Sequence, residues 1–408
     1  MLTILYKYPN LDRTELRAFD DQLSLALYLS YLEARKGGKR RTYDEHNFEV
    51  KLFANLESLR QDILNKTYLP LRSTAHIITH PVIREIFAAT FRDRVVHHFL
   101  FGSVYDWWDR HFIYDSYSCR IDKGTLFGIM RLDHHIRSVS QDYTRPVYIL
   151  KMDIKGYFMS LPRKELYRQA IWGLDQQFKG RTDTREYEIL KFLWRVTIMD
   201  DPVKGARKKG SPSDWSKLPP SKSLFTQPKG IGIVIGNLTS QLLSNIYLDK
   251  LDRFITQQLG YKHYGRYVDD FFIVVDESQL HQLKRDIRAI EEYLKLIGLT
   301  AHPTKRSLRN SKYGVSFLGA TIKHGRIIPG ERLLKSARQA FYQVTAGERD
   351  ITSVPSYLGH FKHFNSYNII KEFFDKVGWD YLEDDAFRTN HQKTKKSRST
   401  DDFSWLFE

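Results

Sequence analysis

Two spacings of apolar residues alternate along the chain. Over residues 1 to about 75 they recur at helical intervals, as Leu23, Leu25, Leu27, Leu29 and Leu32 in one run and Phe53, Leu56, Leu59, Ile63 and Leu64 in another. That spacing predicts a helical N-terminal extension over 1–75. Between the runs, Lys36-Gly37-Gly38-Lys39-Arg40-Arg41 is a basic turn, either solvated or set against a phosphate. From about 147 the pattern shortens. Val147-Tyr148-Ile149-Leu150-Lys151-Met152-Asp153-Ile154 is rich in β-branched and aromatic residues and predicts a buried strand. A helix is expected after Pro162. Residues 201–230, with Lys204-Gly205-Ala206-Arg207-Lys208-Lys209-Gly210, are rich in Pro, Gly, Ser and Lys and predict a long surface insertion. Further on, the spacing predicts a helix over about Ser240 to Leu259 and strands near His263 to Tyr267 and Phe271 to Val275. An amphipathic helix over Leu280 to Ile297 would carry Ile287, Ile290, Leu294 and Ile297 on one face, and a short hairpin would turn at Gly319. Helices are expected up to about 385, then a mobile basic tail over 386–408.

This order of helix, strand, helix, strand pair, helix and hairpin predicts an α+β fold, with an antiparallel sheet covered by helices on one face. Gly230, Gly232 and Gly236 have the wrong spacing for a dinucleotide-binding turn.

A length of 408 residues calls for two or three subdomains. Hydrophobic residues make up 41% of the chain, enough for a large core, so disorder is excluded as the dominant state. No apolar run reaches the roughly 18 residues a membrane span needs, and Met1 to Asn10 lacks the apolar block of a signal peptide. The lone cysteine, Cys119, excludes an internal disulfide and a multi-cysteine zinc site. Together these features lead us to expect a reduced, cytoplasmic protein. The formal charge of +16 fits nucleic-acid binding, and equally a merely basic surface.

The chemistry concentrates at Tyr267-Val268-Asp269-Asp270, between two apolar, aromatic segments. Two adjacent carboxylates at the ends of buried strands repel one another unless a cation neutralises them. Asp153, at the end of the earlier strand, is a third carboxylate able to join them. In isolation each aspartate reads as a solvated turn or strand end. Together they form a hard oxygen donor set suited to Mg²⁺. Two such ions about 3.5–4 Å apart would stabilise the attacking and leaving oxygens of a phosphoryl transfer.

From about 80 to 370 the chain resembles reverse transcriptases, with the blocks in that family's order. Lys151-Met152-Asp153-Ile154-Lys155-Gly156-Tyr157-Phe158 is similar to the first catalytic block and Tyr267-Val268-Asp269-Asp270 to the second. The resemblance implies catalytic Asp153, Asp269 and Asp270, and a metal set of these three with Ile154. It implies that Phe158 sterically excludes a ribose 2′-OH and that Ile235, Gly236 and Gln241 line the nucleotide pocket. Arg84 would meet the triphosphate, because a guanidinium pairs with two phosphate oxygens. Lys305 resembles the lysine near the leaving pyrophosphate. Arg120 and Lys123 would face template or nucleotide, Tyr267 would contact nucleic acid, and Gly319 would sit in the hairpin gripping the primer end. Arg94, His97 and His98 read as residues that order the fingers.

The fold implied is a right-hand polymerase. Fingers and palm would span 76–328, a helical thumb 329–385 and the helical extension 1–75. Implied cofactors are two Mg²⁺ ions, with Mn²⁺ as a substitute. Implied partners are an RNA template, a DNA or RNA primer strand, dNTPs, a dedicated non-coding RNA, and an accessory protein or a second copy of the chain; no membrane is implied. The insertion at 201–230 would be either a docking place for such a partner or a solvated loop. Many reverse transcriptases carry Gln where this chain has Ile235 and Pro where it has Gln241. That departure resembles the bacterial enzymes of diversity-generating retroelements and of antiphage defence, and suggests error-prone synthesis. An RNA-dependent RNA polymerase on the same palm is an alternative that Phe158 opposes. A non-catalytic RNA-binding scaffold is a second, opposed by the retention of all three aspartates.

Overall fold

In this computed structural model, residues 2–8, 18–36, 42–79, 82–350, 352 and 354–371 are described. The extension holds helices α1 (Phe19–Arg35), α2 (Tyr43–Val50) and α3 (Leu52–Leu64). Helical spacing places Leu23 and Leu27 of α1, and Leu56, Leu59 and Ile63 of α3, in the core. Phe53, expected on that inner face, is exposed instead, because it lies a residue outside the buried arc. Residues 37–41 of the basic turn and the expected tail over 386–408 lie outside the described residues, as does the part of the expected thumb beyond 371.

Strands β1 (Thr74–Ile78) and β2 (Arg84–Ala88) form an antiparallel pair. Helix α4 (Phe91–His111) follows, capped at its N-terminus by Thr90, whose Oγ1 accepts from the Asp93 amide at 3.3 Å. Next come α5 (Thr125–Ser140), β3 (Val147–Asp153), the single turn α6 (Tyr157–Ser160), α7 (Arg163–Gln177) and α8 (Arg185–Met199). The segment after α8 contains β4 (Arg207–Lys209) and α9 (Pro212–Ser216). It is not a free loop: β4 pairs parallel with β1, and Leu224 is buried with Ala75 and Phe87 in one apolar cluster. A short strand of three basic residues has no apolar period to betray it.

Helix α10 (Leu238–Arg253) continues into a wider π-turn at Phe254–Gln258. Strands β5 (Tyr264–Tyr267) and β6 (Asp270–Asp276), helix α11 (Leu280–Leu296) and strands β7 (Ser307–Asn310), β8 (Val315–Phe317), β9 (Ala320–Lys323) and β10 (Arg326–Pro329) follow. The described chain then forms α12 (Glu331–Thr345) and α13 (Val354–Phe361). One sheet has the order β5-β6-β3-β7. Central β6 buries Phe271 through Val275 continuously, as a strand covered on both faces must.

The chain divides into two compact units. One comprises Met1–Asp122, Lys151–Phe271 and Lys284–Arg306; the other comprises Lys123–Leu150, Phe272–Leu283 and Ser307–Glu408. In the first, α1 and α10 pack on α4, and α7 packs on α8. Helices α4 and α7 approach closely at Gly173, where a Cβ would fall 2.1 Å from the Trp108 ring. In the second, β8, β9 and β10 form an antiparallel meander, and Asn365 ties the start of α13's following turn to β10 through Ile327. Among the described residues no helix is long and apolar enough to cross a membrane.

Candidate active site

The three predicted carboxylates meet within the first unit. The Ile154 amide donates to the Asp269 carbonyl at 3.1 Å, and the His302 amide donates to the Asp153 carbonyl at 2.7 Å. The end of β3 is thereby held beside the β5–β6 turn. Burial first, then the charges of Asp153 and Asp270, push the Asp269 carboxyl up to about 6. Asp270 is also raised by burial, against the pull of Lys151, whose Nζ lies 3.5 Å from Asp270 Oδ2. Lys305 Nζ lies 2.9 Å from Asp153 Oδ2. Two lysines therefore supply positive charge where three carboxylates converge.

Among the described residues no group of three or more His, Cys, Asp or Glu encloses a metal position as it stands. The donors nevertheless suit a divalent ion. Asp153 Oδ1 is buried without a hydrogen-bond partner, and one oxygen each of Asp153 and Asp270 is paired with a lysine, Lys305 and Lys151.

The turn that presents Asp269 is strained. Val268, a β-branched residue, has φ +54°, in the left-handed region that glycine favours. Both its backbone groups are held from behind. Its amide donates to Ser118 Oγ at 3.1 Å, and its carbonyl accepts from the Arg266 guanidinium at 3.0 Å. Arg266 is fully buried against Asp252, with Nε and Nη2 each 2.7 Å from a carboxylate oxygen. Tyr264 Oη donates to Asp252 at 2.6 Å. Asn245 accepts from Arg266 at 3.3 Å and from Ser118 at 3.2 Å, and donates to the Ser118 carbonyl at 2.7 Å. Ser118, Asn245, Asp252 and Arg266 were not singled out as site residues in the sequence. The available signal was an arginine inside an apolar, aromatic strand, which demands a buried partner of opposite charge.

A family model described as "Reverse transcriptase (RNA-dependent DNA polymerase)" matches residues 83–322. The chain belongs to the reverse transcriptase family. Its fold is the family's right-hand polymerase arrangement, mixed α and β with antiparallel sheets. Reverse transcriptase domains generally use divalent metals such as Mg²⁺. Similar solved structures include a telomerase from Candida albicans in complex with a TWJ fragment of telomeric RNA. Its identity is 13%, over 77% of this chain and 57% of that one, at a TM-score of 0.44. Another is an apo telomerase from Candida tropicalis truncated from its C-terminal domain. Its identity is 11%, over 68% of this chain and 60% of that one, at a TM-score of 0.45. The reverse transcriptase thus covers less than two thirds of either telomerase chain. No curated protein matches it.

Of the nucleotide-pocket candidates of this reverse transcriptase, Arg84 lies on β2 and Phe158, Ile235 and Gly236 lie against it. The Phe87 amide donates to the Ile235 carbonyl at 2.9 Å, and Phe158 and Ile235 pack on the cluster containing Phe87 and Met159. Gly236 has φ +127°, and a Cβ there would lie 2.5 Å from the Phe87 carbonyl oxygen. Its glycine is therefore required by the approach of a neighbouring backbone. Gln241 is exposed in the first turns of α10, and Arg84 is exposed on β2.

Arg120 departs from expectation. Its guanidinium is buried, with Nε 2.6 Å from Asp109 Oδ1 and its other nitrogens on the carbonyls of Asp109, Ile113 and Ser116. Those bonds engage every nitrogen of the guanidinium, so Arg120 fastens the Asp109–Ser116 segment. Lys123 lies in the second unit, its Nζ 5.6 Å from the Phe127 ring. Tyr267 ends β5 beside the turn. Gly319 occupies the β8–β9 turn, where Leu318 and Gly319 both have positive φ. His97 is buried, with Nδ1 3.0 Å from Thr239 Oγ1, in keeping with an ordering role.

Proposed function

We propose that this chain copies RNA into DNA, extending a primer strand by two-metal nucleotidyl transfer, in a bacterial antiphage defence system or a diversity-generating retroelement. The observation that carries the catalytic part is the meeting of Asp153, Asp269 and Asp270 at one place, with Asp269 raised to about 6 by burial and by its neighbours' charge. Carboxylates so crowded favour a cation between them, and Asp153, Asp269 and Asp270, with the Ile154 carbonyl, would hold Mg²⁺ or Mn²⁺. The bound ions would supply positive charge to the attacking and leaving oxygens.

The chain's own residues do the rest. Arg84 binds phosphate oxygens of the dNTP. Phe158, packed with Ile235 beside β2, holds a ring against the sugar and excludes a 2′-OH. Lys305, released from Asp153, meets the departing pyrophosphate. Gln241, Lys123, Tyr267 and Gly319 face the nucleotide or the primer–template duplex. Fingers and palm over 76–328 and a thumb over 329–385 carry these roles, with a dedicated RNA and an accessory protein or second copy as partners. Defence or diversification follows from Ile235 and Gln241, which depart from the commoner Gln and Pro.

Primer extension on an RNA template tests the reading. With Mg²⁺, dNTPs should be incorporated and rNTPs should not, and Phe158→Val should admit rNTPs. Equal use of rNTPs by the unaltered chain would establish an RNA polymerase. Incorporation of neither, with Mg²⁺ or Mn²⁺, would establish a non-catalytic scaffold.

A further inference from the structure

The insertion over 201–230 adds a third strand to the fingers sheet, whose order is β2-β1-β4. Register decides which way its side chains point. Arg207 pairs with Thr74 and Lys209 with His76, while Lys208 pairs with Ala75. Ala75 and Phe87 are fully buried, so their face is the core face. Lys208 lies on that side, exposed like its neighbours but with its Nζ 4.7 Å from the Trp215 ring and 4.2 Å from the Phe225 ring. Arg207 and Lys209 point the opposite way, because side chains alternate along a strand. Arg84, two and four residues from Ile86 and Ala88 on β2, shares their face.

That outer face carries no acid. The only carboxylate in the three strands is Glu85, which is buried on the other side and accepts from Ser223 Oγ at 2.9 Å and the Leu224 amide at 2.6 Å. Among the described residues no carboxylate pairs with Arg84, Arg207 or Lys209, all three of them exposed. Exposed Lys66, by contrast, is matched with Glu188 at 3.0 Å. The Trp215 Nε1–H donates to the Lys209 carbonyl at 3.2 Å, and the Arg207 amide donates to the Ser73 carbonyl at 2.9 Å, so this edge strand is fixed at both ends. A fixed row of unmatched cations on a flat face is built for a polyanion.

We propose that Arg207 and Lys209 bind the phosphate backbone of single-stranded RNA, so that the insertion extends the nucleic-acid surface of the fingers outside the polymerase site. The two side chains sit about 6.6 Å apart along the strand, from the rise per residue, and contact separate phosphates. The choice of RNA rests on the polymerase reading; the unmatched face does not.

The test is binding of a labelled, unprimed single-stranded RNA oligonucleotide by the full chain, over a range of salt concentrations. The double variant Arg207→Gln, Lys209→Gln should flatten the plot of log affinity against log salt by about 1.4, since each single-strand phosphate contact contributes about 0.7. Lys208→Met, which removes one exposed charge on the opposite face of the strand, should leave the slope unchanged. The swap Arg207→Lys, Lys209→Arg should keep it too. If the double variant folds poorly, Lys209→Glu alone should flatten the slope by at least half that amount. An unchanged slope in a folded variant overturns the proposal, as does an equal effect from Lys208→Met, or flattening with a sulfated polysaccharide but not with RNA. Primer extension on the same preparations separates the two readings. An unaltered chain that makes no cDNA, but whose RNA slope still falls in the double variant, supports this surface and counts against the polymerase. An active chain with an unchanged slope overturns this surface alone.

Discussion

Ser118→Ala probes how the Val268 turn is held. The substitution removes the oxygen that accepts the Val268 amide at 3.1 Å and the hydroxyl that donates to Asn245 at 3.2 Å. Val268, at φ +54°, occupies a conformation that costs an L-residue about 1–2 kcal/mol. Leaving its partly buried amide unpaired costs about 1–3 kcal/mol. Taking about 2 kcal/mol, the loss matches or exceeds the strain that Ser118 opposes. The turn should then relax out of the left-handed region and carry Asp269 with it. At about 1.4 kcal/mol per tenfold, the rate of single-turnover addition of one dNTP to a primer on RNA should fall roughly 10- to 30-fold. Val268→Gly supplies the control, since glycine enters the left-handed region without steric cost. In that background Ser118→Ala should cost no more than a few-fold. An equal loss in both backgrounds, or none in either, would refute the claim that Ser118 holds this turn.

Other perturbations test neighbouring parts of the account. Gly236→Ala places a methyl 2.5 Å from the Phe87 carbonyl at φ +127°; overpacking and backbone strain together predict a loss of about 2–6 kcal/mol, read by denaturant unfolding. His97 is pushed down to about 3, chiefly by burial and then by the charges of His98 and Arg94. Its folded pKa is depressed, so its contribution is complete above the unfolded value near 6.5 and is lost as pH falls toward 3. At about 1.4 kcal/mol per pH unit, this is about 2.7 kcal/mol by pH 4.5. His97→Gln should narrow the difference in melting temperature between pH 7 and pH 4.5, and an unchanged difference would show that His97 does not titrate on unfolding.

Much of the fold is written in local periodicity. The strand read over Val147 to Ile154 is β3 (Val147–Asp153), the pair around Asp269 is β5 and β6, and the amphipathic stretch is α11 (Leu280–Leu296). Each depends on spacing within a single element, which a sequence displays directly. The strand within the insertion is hidden from the sequence, because β4 gains its place by pairing with β1, more than 130 residues earlier, while its own residues are all basic. Arg120 was misread for a related reason. An arginine in a motif looks available until its partners are known, and here Asp109 and three carbonyls surround it. The site shows the same division. Asp153, Asp269 and Asp270 were legible because charges interrupt apolar runs. The support behind Val268 was not, because Ser118 and Asn245 are 127 residues apart and polar residues carry no period.

The central claim is that three aspartates form the chemical centre of an RNA-copying DNA polymerase. Its most direct measurement is cDNA synthesis by Asp269→Asn beside the unaltered chain, with RNA template, DNA primer, dNTPs and Mg²⁺. The account predicts that the variant melts at or above the temperature of the unaltered chain, because a buried, repelled charge has been removed, and that it makes no cDNA. Synthesis at the unaltered rate in a folded Asp269→Asn chain would contradict it.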